Sequence, residues 1–216
     1  MGRHKVQNTP AIRRMPTYLH KLMQMHADGE VYASTSHLAE YINLEPIIVR
    51  KDFELTGIKG FPGIGYKTDE LIEAIRDFLG WNTLRPACLV GAGSLGSALL
   101  GFEEFAEYGM DIVDVFDADP SKIGTVIHGH LVKDFANVKE LVQKSHPELA
   151  IICVSSANAQ QVVDTLIECG VTAFWSFANI CLQVPPHVVV QREVIAGGLA
   201  LLSMKLQKHG KNQLTN

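Results

Sequence analysis

Apolar residues in the first eighty positions recur at threes and fours, the spacing of helices that bury one face. Ile12, Leu19, Leu22, Met23 and His26 mark a helix over residues 10–28, and Pro16 inside it predicts a late start or a kink. Ser34 is placed to cap a short second helix through Leu38, Ala39 and Ile42. After a turn at Asn43 and Leu44, Pro46 suits the first position of a third helix running to about Leu55. Its Ile47, Ile48 and Phe53 are expected to face inward, and its Arg50 and Lys51 outward. Thr68 is expected to cap a fourth helix, whose first turn carries Asp69 and Glu70 in accord with the helix dipole and which ends near Leu79 and Gly80. Between helices three and four, residues 57–66 hold four glycines in ten positions, the chemistry of a hairpin tip. Two short helices around a tight turn, the second basic on its outer face and followed by a hairpin, predict a winged helix-turn-helix over residues 1–82.

From Ala87 the period changes. Apolar runs at 87–91, 112–117, 149–154, 172–176 and 187–191 read as strands. Helical stretches running to about Ala106, at 135–144 and at 157–168 separate them. Alternation of this kind implies right-handed crossovers and a doubly wound parallel sheet, a Rossmann domain over residues 83–192 within an overall α/β fold. Residues 193–216 form a tail whose helix, 194–208, carries Ile195, Leu199, Leu202 and Leu206 on one stripe, with Leu201 and Met204 beside it. Such a face must be buried, either on its own sheet or in a second subunit. Gly197 and Gly198 each cost that helix about 1 kcal/mol relative to alanine, so it needs packing support.

The sharpest local signal is Gly91-Ala92-Gly93-Ser94-Leu95-Gly96, a GxGxxG run that follows a strand and opens a helix. Asp117 stands twenty-one residues beyond Gly96, at the end of the next strand. In that context Gly91 permits the tight turn, Gly93 admits the pyrophosphate, and Gly96 lets helix and strand approach closely. The helix N-terminus offers N–H groups to the phosphates. Asp117 would accept hydrogen bonds from the adenosine ribose, which favours NADH/NAD+ over a 2′-phosphorylated dinucleotide or a coenzyme A derivative. A dehydrogenase would also need a general acid or base beside the nicotinamide. His128, His130, His146 and His187 form no such arrangement, and about 110 residues leave little room for a second substrate. A sensor is therefore favoured over an enzyme, with a small NAD-dependent oxidoreductase bearing an accessory N-terminal domain as the competing reading.

Charge adds a partner to this picture. The formal net charge is −4, yet residues 1–27 hold Arg3, His4, Lys5, Arg13, Arg14, His20, Lys21 and His26 and no acid. A basic arm on an acidic body suits phosphate contact, although a solvated tail would look the same. Hydrophobic residues make up 47% of the chain, enough for real cores, but no apolar run is long enough to span a bilayer. No signal peptide is read at the first residues, so a cytoplasmic location is expected. Cys88, Cys153, Cys169 and Cys181 lack any metal-ligand spacing, so they are expected to be structural thiols with no metal bound.

Taken together, several stretches resemble the Rex redox-sensing repressors over nearly the full length. They are Arg13-Arg14-Met15-Pro16-Thr17-Tyr18, Val49-Arg50-Lys51-Asp52-Phe53, Gly63-Ile64-Gly65-Tyr66, Val90 to Gly101, Phe116-Asp117-Ala118-Asp119-Pro120 with Lys122-Ile123-Gly124, and Phe177 to Pro185. The resemblance implies a homodimer that binds double-stranded palindromic operator DNA, exchanges its C-terminal helices between subunits, and releases DNA when NADH binds. By position it places Arg50 and Lys51 on the recognition helix, Arg14 and Tyr18 near the DNA backbone, Ser34 at the second helix, and Lys59 and Tyr66 in the wing. It adds Ile123, Ser155 and Phe177 to the dinucleotide site. Three features depart from the family pattern. Phe61-Pro62 replaces a basic pair in the wing, Phe102 replaces a Tyr, and Val194 replaces the Asp that pairs with that Tyr across the dimer. Glu193 would be the acceptor if the register were one residue earlier. The last two departures predict a weakened or altered redox response.

Overall fold

In the computed structural model residues 7–213 are described, so Arg3, His4 and Lys5 of the basic arm lie outside the described residues. The described part divides into two compact units, one of residues 7–84 with Glu107–Gly109, the other of residues 85–106 and 110–213. The division falls two residues beyond the expected boundary at 82, and the C-terminal helix is grouped with the second unit rather than standing apart.

The first unit holds α1 (Thr9–Ala27), β1 (Tyr32–Ala33), α2 (Thr35–Ile42), α3 (Pro46–Glu54), β2 (Tyr66–Lys67) and α4 (Thr68–Leu79). Helix α1 runs through Pro16 without a break. Met15, Tyr18, Leu19, Leu22 and Met25 bury its inner face against Leu38, Val49, Phe53, Leu71 and Ile75. The buried stripe is therefore rotated from the expected one, leaving His26 exposed. Ser34 does cap α2, its Oγ accepting from the His37 N–H at 3.1 Å. Thr68, expected as the cap of α4, is instead the first residue of that helix and is buried, with Lys67 at the cap. Strands β1 and β2 pair antiparallel, Tyr32 with Lys67 and Ala33 with Tyr66, and form the base of the wing.

The second unit is a seven-stranded sheet of β3 (Arg85–Val90), β4 (Met110–Asp117), β5 (Val126–Ile127), β6 (His130–Asp134), β7 (Leu149–Ile152), β8 (Ala173–Ser176) and β9 (Val189–Arg192). The spatial order is β5-β6-β4-β3-β7-β8-β9, with all pairings parallel except the β5–β6 edge. Apart from β5, this is the doubly wound order, and the strand sequence reverses between β3 and β7, where such sheets open a crevice at their carboxyl ends. Helices α5 (Ser94–Leu100), α6 (Val138–Ser145) and α7 (Ser156–Glu168) make the crossovers. The first of these ends at Leu100, short of the expected Ala106, and a 3-10 turn follows at Glu103–Phe105. The β5–β6 hairpin was not foreseen, because its strands are short. His128 and Gly129 turn it with positive φ, and His130 opens β6. Helix α8 (Ile195–Gln213) closes the described chain. Among the described residues no helix is long and apolar enough to cross a membrane.

Candidate functional site

The first unit presents α3. Its nine residues bury Val49, Asp52 and Phe53. Ile47, expected inside, is 51% exposed and shares the outer face with Arg50, Lys51 and Glu54. Two exposed cations and a branched apolar side chain on one face give a surface that can meet base edges and thymine methyls.

Beneath that face lies a buried charge. Asp52 is 3% exposed and accepts both N–H groups of the Arg14 fork, Nε at 2.7 Å and Nη2 at 2.8 Å, plus the Tyr18 hydroxyl at 2.7 Å. The hydrogen bond to Asp52 raises the Arg14 pKa further, and burial followed by the same carboxylate pushes up the Tyr18 phenol. Tyr18 is completely buried, so its place near the DNA backbone is corrected: it supports α3 from inside, edge-on to the Phe53 ring at 5.1 Å. Arg14, with its side chain 29% exposed, does the same through its charge. Tyr66 sits at the base of the wing, between core and groove. It is 7% exposed, packs edge-on against Phe53 at 5.3 Å, and burial raises its pKa. It also lines a groove of about 790 Å³ between α3 and the wing, together with Ser34, Arg50, Glu54 and Lys59. Lys51 lies outside that groove, on the exposed face.

The second unit opens a cavity of about 490 Å³ at the crevice, walled by the ends of β3, β4 and β7 and the first turns of α7. Gly91 (φ +101°) turns the chain where a Cβ would meet the Cys153 backbone at 2.8 Å. Gly96 lies so close to the Gly91 carbonyl that a Cβ would stand 1.9 Å from it. Gly93 differs: its Cβ would meet nothing within 4 Å, and it lines the cavity. Two glycines are thus required by the chain itself, and the third keeps space open for something else. An open cradle on a strand–turn–helix junction fits a pyrophosphate.

Asp117 braces this turn. Its Oδ2 accepts the Ala92 N–H at 2.8 Å and Lys122 Nζ at 3.1 Å, while Oδ1 accepts the Asp119 N–H at 2.9 Å. Burial alone would raise its pKa, but those three donors outweigh it and hold the carboxyl below the usual range. Sequence reasoning missed Lys122, although it lies in a quoted motif. It also missed Phe135, Cys153, Val154, Asn158 and Gln161, which complete the wall. No pattern announced them, because four come from a strand end and a helix that approach only in the folded sheet. Of the expected ligand residues, Gly91, Gly93, Asp117 and Ser155 line the cavity, and Ala92 and Gly96 shape it from behind. Ser94 and Leu95 open α5, whereas Ile123 and Phe177 lie outside the wall, Phe177 packing at a tilt against Trp175 at 4.9 Å. The four cysteines are free, and burial pushes the Cys88 and Cys153 thiols up to about 12.

Comparison with known proteins bears on both units. A family profile described as "CoA binding domain" matches residues 82–180, and one described as "Putative DNA-binding protein N-terminus" matches residues 9–54. The redox-sensing transcriptional repressor Rex of Treponema denticola is 43% identical over 206 residues, covering 95% of this chain and 98% of that protein. The protein of the same description from Chloroflexus aggregans is 42% identical over 180 residues, 83% of this chain and 85% of its own. Among solved structures, the Rex-family repressor RSP superposes with a TM-score of 0.84 at 26% identity, over 98% of this chain and 100% of RSP. RSP in complex with β-NAD+ and operator DNA superposes with a TM-score of 0.85 at 26% identity, over 98% of this chain and 97% of that one. On length, motif content and fold together, the chain belongs to the Rex family of redox-sensing transcriptional repressors.

Proposed function

We propose that this chain acts as a cytoplasmic homodimer that binds palindromic operator DNA through α3 and the wing and tunes that binding to the NADH/NAD+ ratio. It is a regulator rather than an enzyme. The observation that carries the reading is the pairing, in one chain, of the exposed Ile47, Arg50 and Lys51 face with an open cradle at Gly93.

In this reading Gly93 and the N-terminus of α5 hold the pyrophosphate, and Asp117 meets the adenosine ribose while keeping the turn in shape. Ser155, at the start of α7, faces the rest of the dinucleotide, with Ile123 and Phe177 at its margins. The nicotinamide supplies a ring that is cationic when oxidised and neutral when reduced, and that difference is what a sensor can read. Ser34, at the start of α2, and Lys59, in the wing, flank Arg50 on the DNA side. Helix α8 is the dimer element. Its Gly197 and Gly198 stand in open space, so none of the described residues requires glycine there, whereas a closely packed second copy would.

The reading is tested by selecting duplexes from a random palindromic library with the full chain, alone and with NADH, NAD+ or coenzyme A. NADH is expected to release the selected DNA and coenzyme A to leave it bound. Arg50→Ala and Lys51→Ala are each expected to cost about 1–3 kcal/mol of specific binding without changing NADH affinity. Full binding by both variants would remove α3 from the account.

A further inference from the structure

The wing ends in an apolar tip whose shape is fixed by its own backbone. Phe61 donates its N–H to the Gly65 carbonyl at 2.6 Å, and its own carbonyl accepts from Gly65 at 3.0 Å and from Ile64 at 3.1 Å. Pro62 and Gly63 (φ +74°) occupy the two central positions, the pairing that a type II turn demands. Gly65 anchors the turn against β1, where a Cβ would stand 2.3 Å from the Ala33 carbonyl. The turn sets Phe61 and Ile64 side by side, 45% and 54% exposed, with the Phe61 ring backed edge-on by Tyr32 at 6.2 Å. Apart from the Tyr32 ring behind Phe61, these apolar side chains turn their exposed surface to water.

We propose that Phe61, Pro62 and Ile64 form an apolar wedge that enters the DNA minor groove beside the major groove occupied by α3. This rests on the operator-binding reading above and assigns the wing a contact of different chemistry from a basic one. Three observations support it. The tip borders the same groove as Arg50 and Lys59, so it is continuous with the face assigned to DNA. It carries no charge of its own, so it gains nothing from phosphates, whereas Phe, Ile and Pro are side chains that part base steps and kink the duplex. The turn is also already shaped by Pro62 and Gly63, so inserting it costs little ordering entropy.

The test uses the full chain and a fluorescent palindromic duplex that it has selected, with anisotropy for affinity and energy transfer between the duplex ends for bending. Phe61→Ser/Ile64→Ser, which retains Pro62 and Gly63, is expected to lose about tenfold in affinity, the order of forfeited apolar burial. It is expected to bend the duplex less and to leave the salt dependence unchanged. Lys59→Ala should do the reverse, lowering the salt slope by about one with the bend intact. Phe61→Leu/Ile64→Val, which keeps an apolar tip, should keep the bend. Wild-type affinity and bend in the double serine variant, alongside lost binding in Arg50→Ala, would overturn the wedge and leave the tip as a protein-contact surface. If Arg50→Ala binds as well as wild type, the operator reading itself fails and the wedge falls with it.

Discussion

Helices α1 and α8 are both nineteen residues long, and they dispose of their apolar residues in opposite ways. In α1 the stripe of Met15, Tyr18, Leu19 and Leu22 is wholly covered by helices of its own unit. In α8, Ile195, Leu199, Leu202 and Leu206 are between 53% and 71% exposed. Each such side chain would gain about 1.5–3 kcal/mol on full burial. An apolar stripe declares that a face will be covered but not by what. The covering surface for α1 is encoded within the next seventy residues, whereas none of the described residues covers the stripe of α8.

The comparison can be broken most forcefully at α8. Truncation after Glu193 is expected to abolish the dimer in analytical ultracentrifugation. Operator affinity should then drop on the order of 10²–10⁴-fold, because two half-sites are no longer held together. A truncated chain that sediments as a stable dimer would contradict the account of α8. At α1 the covered face can be opened by removing one charge. Arg14→Ala leaves the Asp52 carboxylate buried with one donor, a loss of about 3 kcal/mol in unfolding free energy. Chemical denaturation checks this, and Arg14→Lys should recover only part, since an ammonium cannot reproduce the paired fork. In the cavity, Asp117→Ala is expected to weaken NADH by about 1.5–3 kcal/mol by calorimetry. Asp117→Arg should shift preference toward NADPH.

Much of this architecture was legible because its signals are local. The GxGxxG run, its strand and helix, and the spacing to Asp117 lie within thirty residues and obey one geometry. The position of Pro46 and the Ser34 cap were equally readable, since each depends on a neighbour no more than four residues away. What was not legible depends on distance or on phase. Nothing near Asp52 reveals that Arg14, thirty-eight residues earlier, will neutralise it, or that Tyr18 will be buried against the same carboxylate. Helix α3 is too short for periodicity to fix its phase, and so Ile47 lies outside and Val49 inside. Tyr66 followed the same rule as Tyr18, with an aromatic body in the core and a hydroxyl that sequence reasoning takes for a surface group. The β5–β6 hairpin has only two cross-strand pairs, below what alternation can disclose.

The departures at Phe102 and Val194 concern coupling between dinucleotide and DNA. Both are partly exposed, Phe102 packs edge-on against Phe105 at 4.9 Å, and neither can supply the hydrogen bond that a Tyr and an Asp would make. Glu193, the alternative acceptor, already accepts from Gln191 at 2.9 Å. A ligand shifts an equilibrium only by its differential affinity for the two states, so losing one charge-assisted contact should flatten the response. The most direct test of the account is anisotropy on the selected operator across NADH/NAD+ ratios at constant total dinucleotide. The account predicts that NADH releases the wild-type chain and that Phe102→Tyr/Val194→Asp steepens the release by about 1–3 kcal/mol of coupling. A wild-type operator affinity identical at every ratio would contradict it.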